Sequence, residues 1–228
     1  MRADNKIGTK KESLLHSSLK YHYAGEDGTT ESSVGNYVCD AIRSDGLIIE
    51  IQTGSFKPLL GKAGVLTEQG PLKIVHPIAQ KRIIEVRDTE GQLLRQRISP
   101  KKGRAWDLFS ALVYAAELPL IPRLSIELAL TEEVELRIDD GKGSWRRKGL
   151  SIRGRTLTSI LETIHLSSPA DYQRFVPFAK NEAFGVKELA EKAKINRTLA
   201  QKTVYVLARI GLLREIAKKG KAKQYALK

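Results

Sequence analysis

Two short runs, NYVCDAIR and LIIEIQT, are apolar on both sides of an extended chain, yet each carries one carboxylate in its middle. Strands apolar on both faces belong in the interior of a sheet. A carboxylate placed there costs on the order of several kcal/mol unless a cation or a hydrogen-bond network receives it. The two acids are Asp40 and Glu50, and Ser44-Asp45-Gly46 between the runs has the composition of a hairpin turn. A hairpin centred on Asp45 sets positions summing to 90 opposite each other, which pairs Asp40 with Glu50. Directly opposed Cβ atoms lie about 5 Å apart, so the two charges repel and a divalent cation would relieve them. Gln52 shares the face of Glu50 by strand alternation. The alternative is structural: Arg43, Lys73 or another base neutralises the acids and fixes the core.

The flanking segments predict mixed α and β structure. A short helix is expected over 12–21, with Leu14, Leu15 and Leu19 on one side. After the hairpin, Pro58 opens a helix whose stripe is Leu59, Leu60, Ala63 and Leu66, closed by Gly70-Pro71. A strand (LKIVHPI), a second hairpin (KRIIEVRD and QLLRQRIS), a helix over 104–117 and two strands (RLSIELAL and VELRI) follow. The basic, Gly-rich stretch over 139–155 reads as a hairpin or linker, and a helix is expected over 156–165. The expected fold class is α/β (α+β): a mixed sheet flanked by helices over 1–138, a connector over 139–174 and a separate C-terminal module over 175–228.

An acid before the hairpin, an acid inside the first strand and Glu-x-Gln in the next resemble the PD-(D/E)XK nuclease superfamily. The resemblance covers roughly residues 10–80 as helix, hairpin strands, helix, strand. It implies a restriction-endonuclease-like fold in which Glu12, with Glu31 in reserve, joins Asp40 and Glu50 in holding Mg²⁺ or Mn²⁺. Such hard cations prefer oxygen ligands, activate water and stabilise charge on a scissile phosphate. Gln52 stands where most members carry lysine; its amide can orient a water, and Lys62 or Lys73 could supply the missing positive charge. Many members act as dimers, so a homodimer is an expectation of the resemblance.

The C-terminal region carries the second resemblance. From residue 175 onward there are 13 Lys and Arg against 4 Asp and Glu, about +9 of the chain's net charge of +13. A helix is expected from Val186, with Leu189, Ala190 and Ala193 inward, Ile195 in the turn and Asn196 as the next N-cap. The second helix buries Leu199, Thr203, Val206, Leu207 and Ile210 and ends at Gly211. Strand, basic turn and strand follow. This pattern resembles a winged helix-turn-helix over about 50 residues, whose second helix enters the major groove of DNA. The resemblance implies DNA contacts from Arg197, Thr198, Gln201, Lys202 and Tyr205, and from Lys218, Lys219, Lys221 and Lys223 of the wing. Arg146 and Arg147 beside Trp145 could track a phosphate backbone or form a solvated hairpin.

The single cysteine, Cys39, excludes an internal disulfide and any zinc cluster of thiolates, and it fits a reducing cytoplasm. No apolar run approaches the roughly 20 residues of a membrane span, and no signal peptide is expected at the N-terminus. Neither a P-loop nor a nucleophile elbow is present. The expected function is a metal-dependent DNA endonuclease of the cytoplasm acting on duplex or branched DNA, with no membrane partner. The competing expectation is a non-catalytic DNA-binding protein, either a transcription regulator or an inactive nuclease relative.

Overall fold

The computed structural model describes residues 13–228. It is an α+β protein built on a seven-stranded mixed sheet flanked by helices, with a separate two-stranded hairpin at the C-terminus. Helix α1 (Leu14–Ala24) opens at Ser13, whose side chain accepts the His16 N–H (3.2 Å), and buries Leu15 and Leu19 four residues apart. Strands β1 (Thr29–Val34), β2 (Tyr37–Ile42) and β3 (Ile48–Ile51) form an antiparallel meander. Helix α2 (Ala63–Gln69) then crosses over, so that β4 (Leu72–Arg87) runs parallel to β3. The β2/β3 register pairs Ala41 with Ile49 and Ile42 with Ile48, the alignment expected from the turn, but it stops there and the expected Asp40–Glu50 pair is not formed.

Strand β5 (Leu93–Ile98) folds back on β4, α3 (Leu108–Leu112) covers the sheet, and β6 (Leu124–Asp139) returns parallel to β4. The helix expected over 104–117 is instead α3 with a 3₁₀ turn on either side, at Ala105–Asp107 and Val113–Ala115. LKIVHPI and KRIIEVRD, expected as separate strands, are one sixteen-residue strand despite Pro77. Proline is tolerated because β3 pairing stops at Val75 and β5 pairing begins at Ile83, which leaves that side of β4 an edge. RLSIELAL and VELRI likewise fuse into β6.

The helix expected over 156–165 is overturned, whereas the stretch over 139–155 holds the turn of a hairpin, one of its two readings. Residues Leu150–Leu166 form β7, antiparallel to β6 along nearly its whole length. Leu157, Ile160, Leu161 and Ile164 have helical spacing in the sequence. Three register shifts in the β6/β7 ladder rephase the strand, so Leu157 and Ile160 pack on the α1 side while Ile164 joins the opposite core.

Two apolar layers enclose the sheet. The smaller lies under α1 and contains Leu15, Leu19, Ala41, Ile49, Ile51, Val75 and Ala129. The larger, on the other face, runs from Ile48, Leu66, Ile74 and Phe109 into α4 (Val186–Ala193), α5 (Arg197–Arg209) and β8 (Leu213–Lys219). Strand β9 (Ala222–Leu227) closes a hairpin with β8. As expected, Asn196 caps α5 by accepting the Leu199 N–H (2.8 Å), and Gly211 follows the helix at φ 79. Residue 175 does not divide two cores. Arg104 donates to Ala193 O (2.9 Å) and Lys194 O (2.7 Å), satisfying carbonyls at the end of α4, and Arg209 pairs with Glu117.

Candidate functional site

Beyond the Ala41–Ile49 pair the β2/β3 ladder opens, and the Asp40 side chain fills the gap: its Oδ2 accepts the Ile51 N–H at 2.7 Å. The kink begins one strand earlier. Thr30 pairs with Ala41 and Ser32 with Cys39, while Glu31 between them has the left-handed φ of 54. As a result Cys39 joins the larger core and Ala41 the smaller, although alternation alone would put them on one face. Asp40 therefore sits where the two faces of the sheet meet.

From the α1 side, His16 Nε2 lies 3.3 Å from Asp40 Oδ2. Burial would raise the Asp40 carboxyl. The bonds from His16 and Ile51 and the charges of His16 and Lys62 outweigh it, so the group stays below the usual carboxylate range. Among the described residues both contacts of Asp40 use Oδ2.

Glu50 lies deeper, 4 % exposed, on β3. One carboxylate oxygen, Oε2, meets Lys62 Nζ at 2.6 Å from the start of α2. The other, Oε1, is buried without a hydrogen-bond partner. Burial pushes the carboxyl up to about 7, the Lys62 contact pulls against that rise, and the charge of Asp40 adds to it. Glu50 thus feels the charge of Asp40 and keeps one buried oxygen without a partner.

The remaining expected residues divide clearly. Glu12 lies outside the described residues. Glu31 is turned to Lys20 Nζ at 2.9 Å. Gln52 donates through its amide nitrogen to Ser55 O (2.5 Å), so that nitrogen serves the turn after β3. Arg43 pairs with Asp45 within the hairpin turn, and Lys73 meets Glu127 Oε2 at 2.6 Å on the α1 face. Neither base named as a neutralising partner reaches Asp40 or Glu50, and Lys73 is removed as a source of the missing cation. Lys62 is the other base that the structural alternative allowed, and it meets Glu50, while Asp40 is met by His16. His16 was not connected to them by sequence reasoning; its only signal was a place in the helix preceding the hairpin. Among the described residues no group of three or more His, Cys, Asp or Glu is disposed to hold a metal ion.

Glu127 provides a comparison. It too is an acid within an apolar run, and it is 3 % exposed. Its oxygens are taken by Tyr23 Oη (2.5 Å), Lys73 Nζ (2.6 Å) and His165 Nδ1 (2.9 Å). Burial, then the Glu127 bond, raise the Tyr23 hydroxyl well above its ordinary value.

On α5, Arg197, Thr198, Gln201 and Tyr205 are exposed and Lys202 is half-buried. Arg197 and Gln201 face Lys223 across a 490 Å³ groove between α5 and β9. Lys218 and Lys221 are exposed near the hairpin tip, Lys219 ends β8, and Lys223 is paired with Glu215 at 2.8 Å. Tyr205 also shares a 190 Å³ hollow with Leu60 and Tyr114, and Leu60 is two residues from Lys62. Arg146 and Arg147 occupy a 3₁₀ turn between β6 and β7, where Arg146 lies over the Trp145 ring (5.5 Å) and Arg147 donates to Leu150 O (3.2 Å). Among the described residues no helix is long and apolar enough to cross a membrane.

No solved structure matches the chain. A protein of Treponema pallidum (strain Nichols), described as an uncharacterized protein, is 23 % identical over 219 residues, which span 96 % of this chain and 86 % of that one. A family profile described as "Domain of unknown function (DUF8091)" matches residues 13–167, the segment that carries α1, the whole seven-stranded sheet and both acids. This chain belongs to that family.

Proposed function

We propose that the protein is a divalent-metal-dependent DNA endonuclease whose metal is held by Glu50 and Asp40. The observation that carries the reading is Glu50 Oε1, a buried carboxylate oxygen without a partner, beside a second carboxylate kept ionised. Buried polar atoms are almost always satisfied, and an open carboxylate oxygen, ionised above about pH 7, suits a cation. Oxygen-only ligation favours Mg²⁺ or Mn²⁺, which would ionise water and neutralise charge on the scissile phosphate. Lys62 supplies the positive charge that Gln52 lacks, and His16 and the Ile51 N–H hold Asp40 in place. The element order of α1, three meandering strands, α2 and β4 supports the resemblance to the PD-(D/E)XK superfamily. Helices α4 and α5 with the β8/β9 hairpin support a winged helix-turn-helix that offers α5 to the DNA.

A second reading, a DNA-binding protein without catalysis, is favoured by the Lys62 contact, which already neutralises one oxygen of Glu50. One assay separates the two. Linear, supercoiled, branched and single-stranded DNA are incubated with Mg²⁺ or Mn²⁺ and either wild type or Asp40→Ala. Cutting by wild type alone, with duplex affinity retained in the variant, is the expected result. Intact DNA in every lane ends the nuclease reading.

A further inference from the structure

Beyond Ile51 the pairing of β3 with β4 stops while β4 continues, and a cavity opens at the vacated edge. Its volume is 280 Å³, and its polar lining comes from Thr53, His76, Arg82, Lys101, Asp107 and Ser110. Thr53 is three residues from Glu50, at most about 10 Å along the chain. The loop after β5 forms the rim. Gly103 N donates to Ala79 O at 2.7 Å, and a Cβ at Gly103 would lie 2.7 Å from both that oxygen and Ile78 Cγ2. Only glycine lets the loop come this close, and the contact holds Lys101 over the opening.

The lining suits an anion. Among the described residues Lys101 has no carboxylate partner, and the hydroxyls of Thr53 and Ser110 make no hydrogen bond. Arg82 reaches Glu133 (3.3 Å) and Glu135 (3.7 Å), yet its Nε is buried without an acceptor. The one lining carboxylate, Asp107, accepts the Arg104 N–H at 3.0 Å. His76 contacts Gln52 O through Nδ1 (2.5 Å), and burial holds its ring below the usual histidine range. A neutral ring donating from Nδ1 leaves Nε2 as an acceptor for a sugar hydroxyl. The volume lies just under the about 300 Å³ where pockets for whole small molecules begin, which fits a phosphate with part of its sugar.

We propose that this cavity receives one phosphate of the bound DNA strand, adjacent to the phosphodiester presented to Glu50. The assignment rests on the nuclease reading for its ligand, and its test does not depend on cutting. Amide resonances of the full chain are followed without divalent metal while inorganic phosphate or a self-complementary DNA dodecamer is added. Saturable shifts at Thr53, Gly103 and Ser110 are expected with both probes. Lys101→Glu should abolish them and weaken dodecamer binding about tenfold, the effect of losing one charge-assisted contact. Lys102→Glu, in the same loop but not lining the cavity, should keep them.

Shifts confined to α5 and the β8/β9 hairpin overturn the proposal, as does full retention of the shifts in Lys101→Glu. Shifts with inorganic phosphate and none with DNA overturn it too, since the cavity would then take a free anion. Intact DNA with wild type and Mg²⁺, alongside the expected shifts, would remove the nuclease reading and leave the phosphate cavity standing.

Discussion

Replacing Glu50 by glutamine isolates the electrostatic cost of burying that carboxylate. Its ordinary value of 4.5 is pushed up to about 7, mainly by burial and against the pull of Lys62. The folded protein therefore holds a proton across pH 4.5–7 that the unfolded chain has released, and stability falls as pH rises through this window. Each pH unit is about 1.4 kcal/mol, so at pH 8 the ionised group costs the fold about 3 kcal/mol, against under about 1 kcal/mol at pH 5. A carboxamide has the shape of the neutral acid and can still accept from Lys62. Glu50→Gln should therefore stabilise the metal-free protein at pH 8 by about 3 kcal/mol. For a chain of this size that is roughly 6–12 °C in Tm. Thermal melts in EDTA at pH 8 and pH 5 measure the difference at each pH. Added Mg²⁺ should then raise the melting temperature of wild type and leave the variant unmoved, because only wild type offers the anionic oxygen. A variant that melts at or below wild type at pH 8, or a difference of equal size at both pH values, would refute the electrostatic reasoning.

Two further outcomes follow from the surface and from the second buried acid. The double substitution Lys218→Ala/Lys221→Ala should flatten the dependence of log affinity on log salt by about 1.8, since each lost phosphate contact removes about 0.9. Fluorescence anisotropy with a duplex across a salt series reads the slope, and an unchanged slope takes the hairpin out of the DNA interface. Glu127→Gln should destabilise the fold by about 2 kcal/mol in urea melts, because Tyr23, Lys73 and His165 direct donors at both carboxylate oxygens and the carboxamide nitrogen would face one of them. Any metal-dependent cutting should persist under folding conditions, and its loss in a folded variant would place Glu127 in the site.

The hairpin alignment and the C-terminal helices were legible because they are set locally. A turn of Ser-Asp-Gly between apolar runs determines which residues oppose, and an N-cap, a helical stripe and a terminal glycine mark α5. The apolar spacing of residues 156–165 is helical and by itself predicts a helix. It is the ladder with β6, bulged in three places, that makes them a strand. Likewise LKIVHPI and KRIIEVRD join into one strand because Pro77 falls where β4 pairs with neither β3 nor β5 on that side.

By itself the sequence determined that acids would be buried in central strands and that positive charge would gather at the C-terminus. Composition and alternation suffice for both. It could not distinguish Glu50 from Glu127, since each is one acid in an apolar run. Partners distant along the chain decide that difference. Tyr23, Lys73 and His165 converge on Glu127 and occupy it, whereas Lys62 takes only one oxygen of Glu50. Whether a buried charge is spent on the fold or left for a ligand depends on what the packed sheet brings within hydrogen-bond reach, and only the tertiary structure sets that distance.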